Sequence, residues 1–173
     1  MNIPIGDKAP EVVNAYIEIP KGSHNKYEYD EDLKVLKLDR VLYSPLFYSV
    51  DYGLIPETRS DDGDHLDIMV LGNDPVFPGC LVEARPVGLL KMIDDGDEDF
   101  KIIAVQKDNP RHDHIKDLDD LKKASPHLFD EISHFFKVYK DLQKKKVEII
   151  GWEGKDEAFK EIKKAEEMYK KEK

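Results

Sequence analysis

Apolar residues fall in short runs over most of this chain and take on helical spacing only towards its end. Tyr16-Ile17-Glu18-Ile19 stops at a Pro20-Lys21-Gly22-Ser23 turn, and Lys26-Tyr27-Glu28-Tyr29 alternates with a period of two. Asp30-Glu31-Asp32 reads as a hairpin turn into Lys34-Val35-Leu36-Lys37-Leu38. Further strand-like runs cover 65–71, 80–87, 100–105 and 147–152. Turn residues interrupt them roughly every ten positions, the rhythm of a small barrel or sandwich.

Helices come late. A short one is expected over 117–124. Ser125-Pro126 then supplies an N-cap and a proline at the first helical position. Leu128, Ile132, Phe135, Phe136, Tyr139 and Leu142 recur at helical spacing after it, so this helix is expected to reach Leu142. A last helix over about 156–170 carries Ala158, Phe159, Ile162, Ala165, Met168 and Tyr169 on one face and Lys and Glu on the other. The fold class predicted is α+β, mainly β: a barrel core with two longer helices packed outside it.

At 173 residues the expectation is one domain spanning 1–173. No apolar run is long enough for a membrane span, and the first residues lack the basic-then-apolar order of a secretory signal. The lone Cys80 cannot close an intrachain disulfide, which fits a reducing cytoplasm, and its apolar neighbours suggest buried filler. Lys and Arg total 27 against 37 Asp and Glu, a formal charge of −10, which disfavours nucleic acid as a partner.

That negative charge is concentrated in two loops. Asp61-Asp62-Gly63-Asp64-His65-Leu66-Asp67 and Asp94-Asp95-Gly96-Asp97-Glu98-Asp99 each set carboxylates around a glycine and run into an apolar strand. Carboxylates so close repel unless a cation lies between them, and hard oxygen donors suit Mg²⁺, Mn²⁺ or Ca²⁺. An EF-hand does not fit. With either glycine at its sixth position, the first and last ligand positions fall on Thr58 and Met69, or on Lys91 and Ile102. A solvated acidic hairpin fits the spacing of either loop as well as a metal site does. The six histidines lack zinc spacing. Lys26, Arg40, Lys101 and Lys140, with Tyr48, Tyr52 and Tyr139, form the kind of set that binds phosphate, although each alone is an ordinary surface cation or half-buried phenol. Two other classes account for fewer of these residues. A non-catalytic OB-type module for single strands needs a basic groove, and a calcium-buffering protein leaves the basic set unused.

Together the motifs resemble the soluble family I inorganic pyrophosphatases, of the short prokaryotic type, over nearly the whole length. The resemblance is carried by Ile17-Glu18-Ile19-Pro20, Lys26-Tyr27-Glu28, Asp39-Arg40, Phe47-Tyr48-Ser49-Val50-Asp51-Tyr52-Gly53, Asp62-Gly63-Asp64-His65-Leu66-Asp67, Arg85-Pro86-Val87-Gly88, Lys91-Met92-Ile93-Asp94, Gly96 to Lys101, His114-Ile115-Lys116-Asp117, His134-Phe135-Phe136, Tyr139-Lys140-Asp141-Leu142 and Gly151-Trp152. It implies an OB-like five-stranded barrel, a cytoplasmic Mg²⁺-dependent hydrolase (several ions per site, Mn²⁺ or another divalent ion being possible), and a homohexamer. Such an assembly is expected to bury part of the helix face around Phe135.

The implied roles follow position by position. Asp62, Asp67, Asp94, Asp99 and Glu28 are expected to hold metal, and Lys26, Arg40, Tyr52, Lys101, Tyr139 and Lys140 to bind pyrophosphate. Glu18, Tyr48 and Asp95 are expected in support. In the implied reaction a metal-bridged water or hydroxide attacks phosphorus in line, with Asp64 as the base, giving two orthophosphates. Two positions depart from the family pattern. His65 stands where the family usually has Pro or Glu, and Ser49 where it usually has Pro. Neither removes an expected ligand.

Overall fold

The computed structural model describes residues 1–172. Its element order is β1 (Val13–Ile19), β2 (Asn25–Asp30), β3 (Val35–Val41), β4 (Asp51–Leu54), β5 (Asp67–Leu71), β6 (Leu81–Asp94), β7 (Asp97–Glu98), β8 (Lys101–Gln106), α1 (Leu118–Ala124), α2 (Pro126–Val138), β9 (Val147–Gly154) and α3 (Lys155–Glu172). Strands β1, β4, β5, β8 and β6 pair in that order, and β6 returns to β1, closing an uneven five-stranded barrel. Strands β7 and β9 extend β6 beyond the barrel. Strands β2 and β3 form a separate hairpin sheet, turned at the acidic 30–32 link as expected.

Strands β5 and β8 read as continuous apolar runs because both of their faces are buried. Ile68, Val70, Ile102 and Ala104 pack with Ala158, Ile162 and Ala165 of α3. Met69, Leu71, Ile103 and Val105 face the other way, into a cluster with α1 and with Phe129, Ile132, Phe135 and Phe136 of α2. The two longer helices therefore cover opposite faces of one sheet, each by its apolar stripe. No helix among the described residues is long and apolar enough to cross a membrane.

Several local expectations need correction. Strand β4 was not anticipated, since four residues beside glycine and proline give too short a pattern. Strand β6 runs to Asp94 rather than stopping at Val87. A register shift between Pro86 and Gly88 lets it pass both apparent breakers. Helix α2 ends at Val138, not Leu142. Lys140 leaves the helical region and a 3₁₀ turn covers Asp141–Gln143, so Leu142 stands exposed. Ser125 is the N-cap by position, but its side chain makes no capping bond; its N–H closes α1 instead, on the carbonyl of Leu121. Cys80 is half-buried rather than core filler, and its backbone carbonyl accepts from the Ile17 N–H. Phe135 is already covered within the chain by Tyr48 and Tyr139, so it is not a face held open for a second copy.

The barrel closes tightly at Gly53, where β4 passes β1 at a bulge between Ile17 and Ile19. A Cβ on Gly53 would stand 2.0 Å from the Tyr16 carbonyl oxygen and 2.8 Å from Ile17 Cα. These are backbone atoms of a core strand and cannot swing aside. Gly53→Ala is expected to lower stability by about 1–3 kcal/mol. Urea unfolding would measure this, and an unchanged midpoint would show that β1 can retreat.

Candidate active site

Strand pairing brings the two acidic loops together. Strands β5 and β8 run parallel and in register, so Asp67, the first residue of β5, lies beside Lys101, the first of β8. The second loop is the β6–β7 turn, where Asp94 pairs with Asp97. Asp95 and Gly96 make this turn with φ of 55° and 105°. In the first loop Gly63 has φ of 89°, and the Asp64 N–H donates to Asp62 Oδ1 at 3.0 Å. This Asx turn belongs to a loop from which both Asp62 and Asp64 line one cleft.

A cleft of about 690 Å³ opens over these strand ends. Every residue expected at the site lines it except Tyr48. Tyr48 lies buried beneath, its ring 5.3 Å from that of Tyr52 and 4.8 Å from that of Phe135. The hairpin forms one wall, with Lys26 directly across from Arg40. The truncated end of α2 forms another: because the helix stops at Val138, Tyr139 and Lys140 turn towards Asp94. Tyr139 Oη donates to Asp94 Oδ2 at 3.2 Å, and Lys140 Nζ bonds the same oxygen. Sequence reasoning did not single out Glu31, Arg59, Asp97, Glu98 or Lys145, which also line the cleft. For Lys145 the 144–146 lysine run was the available signal, but its direction depends on the left-handed turn at Lys144 (φ 59°).

Lys101 is the electrostatic centre. Only 2 % exposed, it donates at 2.7 Å to Asp67 and to Asp99 and at 2.9 Å to the Tyr52 hydroxyl. Burial alone would lower its pKa; Asp67 and Asp99 overcome this and hold it well above the usual lysine value. The Tyr52 hydroxyl also donates to Asp67 at 2.5 Å. Burial, then Asp67 and Asp99, keeps that phenol protonated. Asp64 is raised by burial and then by Asp62 and Asp67, making it a readier proton acceptor than a free carboxylate. Asp99 is raised by burial, with Asp67 adding to the shift and Lys101 opposing it. Lys26 is lowered by burial and then by Arg40.

The donors available to a cation are hard carboxylate oxygens, and Asp94 Oδ1 is buried with no hydrogen-bond partner. That chemistry fits Mg²⁺ or a similar divalent ion. Among the described residues no three acidic, His or Cys side chains yet converge as a metal cage. Instead Lys101 holds Asp67 and Asp99, and Lys140 holds Asp94.

The family model described as inorganic pyrophosphatase matches residues 15–170. The chain belongs to the inorganic pyrophosphatase family. It is 53% identical to the inorganic pyrophosphatase of Nostoc sp. over 148 residues, 86% of each chain. Against that of Haloferax volcanii it is 50% identical over 165 residues, 95% of this chain and 92% of the relative. The solved inorganic pyrophosphatase of Thermus thermophilus superposes with a TM-score of 0.92 at 47% identity, covering 97% of both chains. The activity of this pyrophosphatase family member is hydrolysis of inorganic pyrophosphate, and the OB-like barrel expected from the sequence is the fold it has.

Glu18 gives the site a pH signature. It is 6 % exposed, and its carboxyl is pushed up to about 8, chiefly by burial, while the N–H donated by Tyr29 pulls the other way. Between its ordinary value of 4.5 and about 8 the native chain keeps a proton that the unfolded chain releases, so stability falls as pH rises through that window. One such group contributes at most about 1.4 kcal/mol per pH unit. Metal-free Glu18→Gln is expected to have a visibly shallower stability–pH slope than the metal-free parent. Parallel urea-midpoint curves would contradict this assignment.

Proposed function

We propose that this cleft binds pyrophosphate between the hairpin and the strand ends, and that Asp64 takes the proton from the attacking water. One observation carries the reading: four cations (Lys26, Arg40, Lys101 and Lys140) and five carboxylates (Asp62, Asp64, Asp67, Asp94 and Asp99) line a single cleft. A carboxylate cluster alone would repel a diphosphate, and a basic cluster alone would not bind metal. Both are required to hold an anion through divalent ions.

Asp62, Asp67, Asp94 and Asp99 are the residues that would hold Mg²⁺, and Glu28 reaches the same space from the hairpin. Bound there, the ions neutralise the diphosphate and acidify water. Asp64 lies beside Asp62 across the Gly63 turn and accepts the proton at its carboxylate. Lys26 and Arg40 bind phosphate oxygens from opposed hairpin positions. Lys140 and Tyr139, beside Asp94, turn their donors from that carboxylate to the departing phosphate, which leaves as the bridging P–O bond breaks. Lys101 stays protonated and steadies Asp67 and Asp99 as charge shifts. Glu18 supports the hairpin beside its turn, Tyr48 lies under Tyr52, and Asp95 shapes the second loop.

Phosphate release from pyrophosphate is expected with Mg²⁺ and not with EDTA. Asp64→Asn is expected to cut turnover by about 10²- to 10⁴-fold, the usual worth of a general base, with folding retained. A folded, Mg²⁺-loaded parent that releases no phosphate would overturn the reading of the site. Near-parental turnover in Asp64→Asn would remove Asp64 as the base.

We also propose that the chain works in the cytoplasm as a homohexamer. Phe77, Leu142 and Ile150 each stand more than half exposed, apolar surface that an assembly of copies would cover. A solution mass six times that of the chain is expected, and a monomeric mass would overturn the proposal.

A further inference from the structure

The β2–β3 hairpin carries Lys26, Glu28 and Arg40 yet pairs with no other strand. A two-stranded hairpin has little stability of its own, so the position of those side chains depends on what holds the hairpin. Just before the turn, where Tyr29 pairs with Leu36, the Tyr29 N–H donates to Glu18 Oε1 at 2.7 Å and its ring meets Tyr16 edge-on at 5.6 Å. The turn itself is held differently. Glu31 lies with one oxygen 3.5 Å from the Arg59 guanidinium and the other 2.6 Å from His65 Nε2. His65 Nε2 makes no hydrogen bond with Glu31 despite this approach.

Arg59 and His65 flank the first acidic loop and are themselves anchored to α3. Arg59 Nε donates to Glu172 at 2.8 Å, and the Arg59 N–H donates to the Ala165 carbonyl at 2.9 Å. The guanidinium lies 5.6 Å from the centre of the Tyr169 ring, and the His65 ring 6.1 Å from it. His65 Nδ1 pairs with the Thr58 carbonyl at 2.8 Å, which fixes the ring's edge towards the hairpin. Lys164 of α3 reaches Asp61 in the same loop at 2.7 Å. Three elements distant in sequence, the hairpin turn, the acidic loop and the end of α3, are thus tied at one corner of the cleft.

We propose that Arg59 is a positioning residue which, through Glu31, holds the hairpin and its phosphate-binding Lys26 and Arg40 at a set distance from the acidic loop. This deepens the pyrophosphate reading of the cleft and rests on it. Neither proline nor glutamate at position 65 would offer the ring nitrogen that pairs with the Thr58 carbonyl. Neither Glu31 nor Arg59 is needed to touch the reacting atoms. Their loss is therefore expected to loosen substrate binding and leave the chemical step alone.

Glu31→Ala and Arg59→Ala test this, with Glu31→Gln as the variant that keeps an acceptor for Arg59. Two readings are taken on the full-length protein. Amide hydrogen exchange over 25–41 is expected to quicken in both alanine variants while β5 and β8 keep parental protection. KM for Mg²⁺-pyrophosphate is expected to rise about 2- to 5-fold, the range open to a partly exposed ion pair. Turnover should stay near parental, and Glu31→Gln should recover part of the KM. Parental exchange over 25–41 in Glu31→Ala would overturn the clasp. Reduced turnover with parental KM would assign these residues to chemistry and overturn the positioning role. If the parent itself fails to hydrolyse pyrophosphate, the reading of the cleft falls, whereas hydrogen exchange still decides whether the hairpin is held this way.

Discussion

The site depends on a buried charge that cannot be left alone. Lys101 has almost no contact with solvent, and an unpaired ammonium there would be prohibitively costly. Asp67, Asp99 and the Tyr52 hydroxyl compensate it. Those partners come from three strands, β5, β4 and the entry to β8. The ion pairs therefore require the parallel register of β5 with β8 and the antiparallel pairing of β4 with β5. A slip of one residue would send Asp67 to the opposite face and leave Lys101 buried and unpaired. The barrel's register and the site's charge balance are one constraint.

The walls of the cleft are held more loosely than its floor. The floor sits on strand ends whose following residues are buried on both faces, an arrangement that resists displacement. The hairpin wall has less support: Tyr27 packs on the core, and the ties from Tyr29 and Glu31 gather at its turn. The α2 wall is shaped by where the helix stops: had the turn at Lys140 continued as α-helix, Tyr139 and Lys140 would not both meet Asp94. Binding a small, highly charged anion needs fixed carboxylates beneath adjustable cations, and this division of rigidity suits it.

How much could be read beforehand varied from element to element. The apolar runs that became β5 and β8, the stripe of α3 and the turn at 30–32 were legible because period and turn chemistry are local properties. Strand β4 was not, since four residues carry no period. The length of β6 was hidden by Pro86 and Gly88, whose cost is absorbed by a bulge and by close packing against Leu118. Among site residues, the Asp-Gly-Asp turns announced themselves. Glu31 and Arg59 did not, because a carboxylate in a turn and an arginine before a loop are commonplace until something folds against them.

Residue type and local spacing alone determined the donor groups and the outline of the fold: hard carboxylates at two glycine turns, a complement of lysine, arginine and tyrosine, and a mainly β chain closed by amphipathic helices; the reaction followed from the family resemblance they carry. Only the tertiary structure decided that the two turns share one cleft, that Lys101 is buried between Asp67 and Asp99, and that the hairpin turn is tied to α3 through Arg59. The reason is physical. Propensity and periodicity act over a few residues. Charge pairing across strands, and the corner joining residues 31, 59 and 172, exist only once long loops have closed and desolvation has made each pairing obligatory.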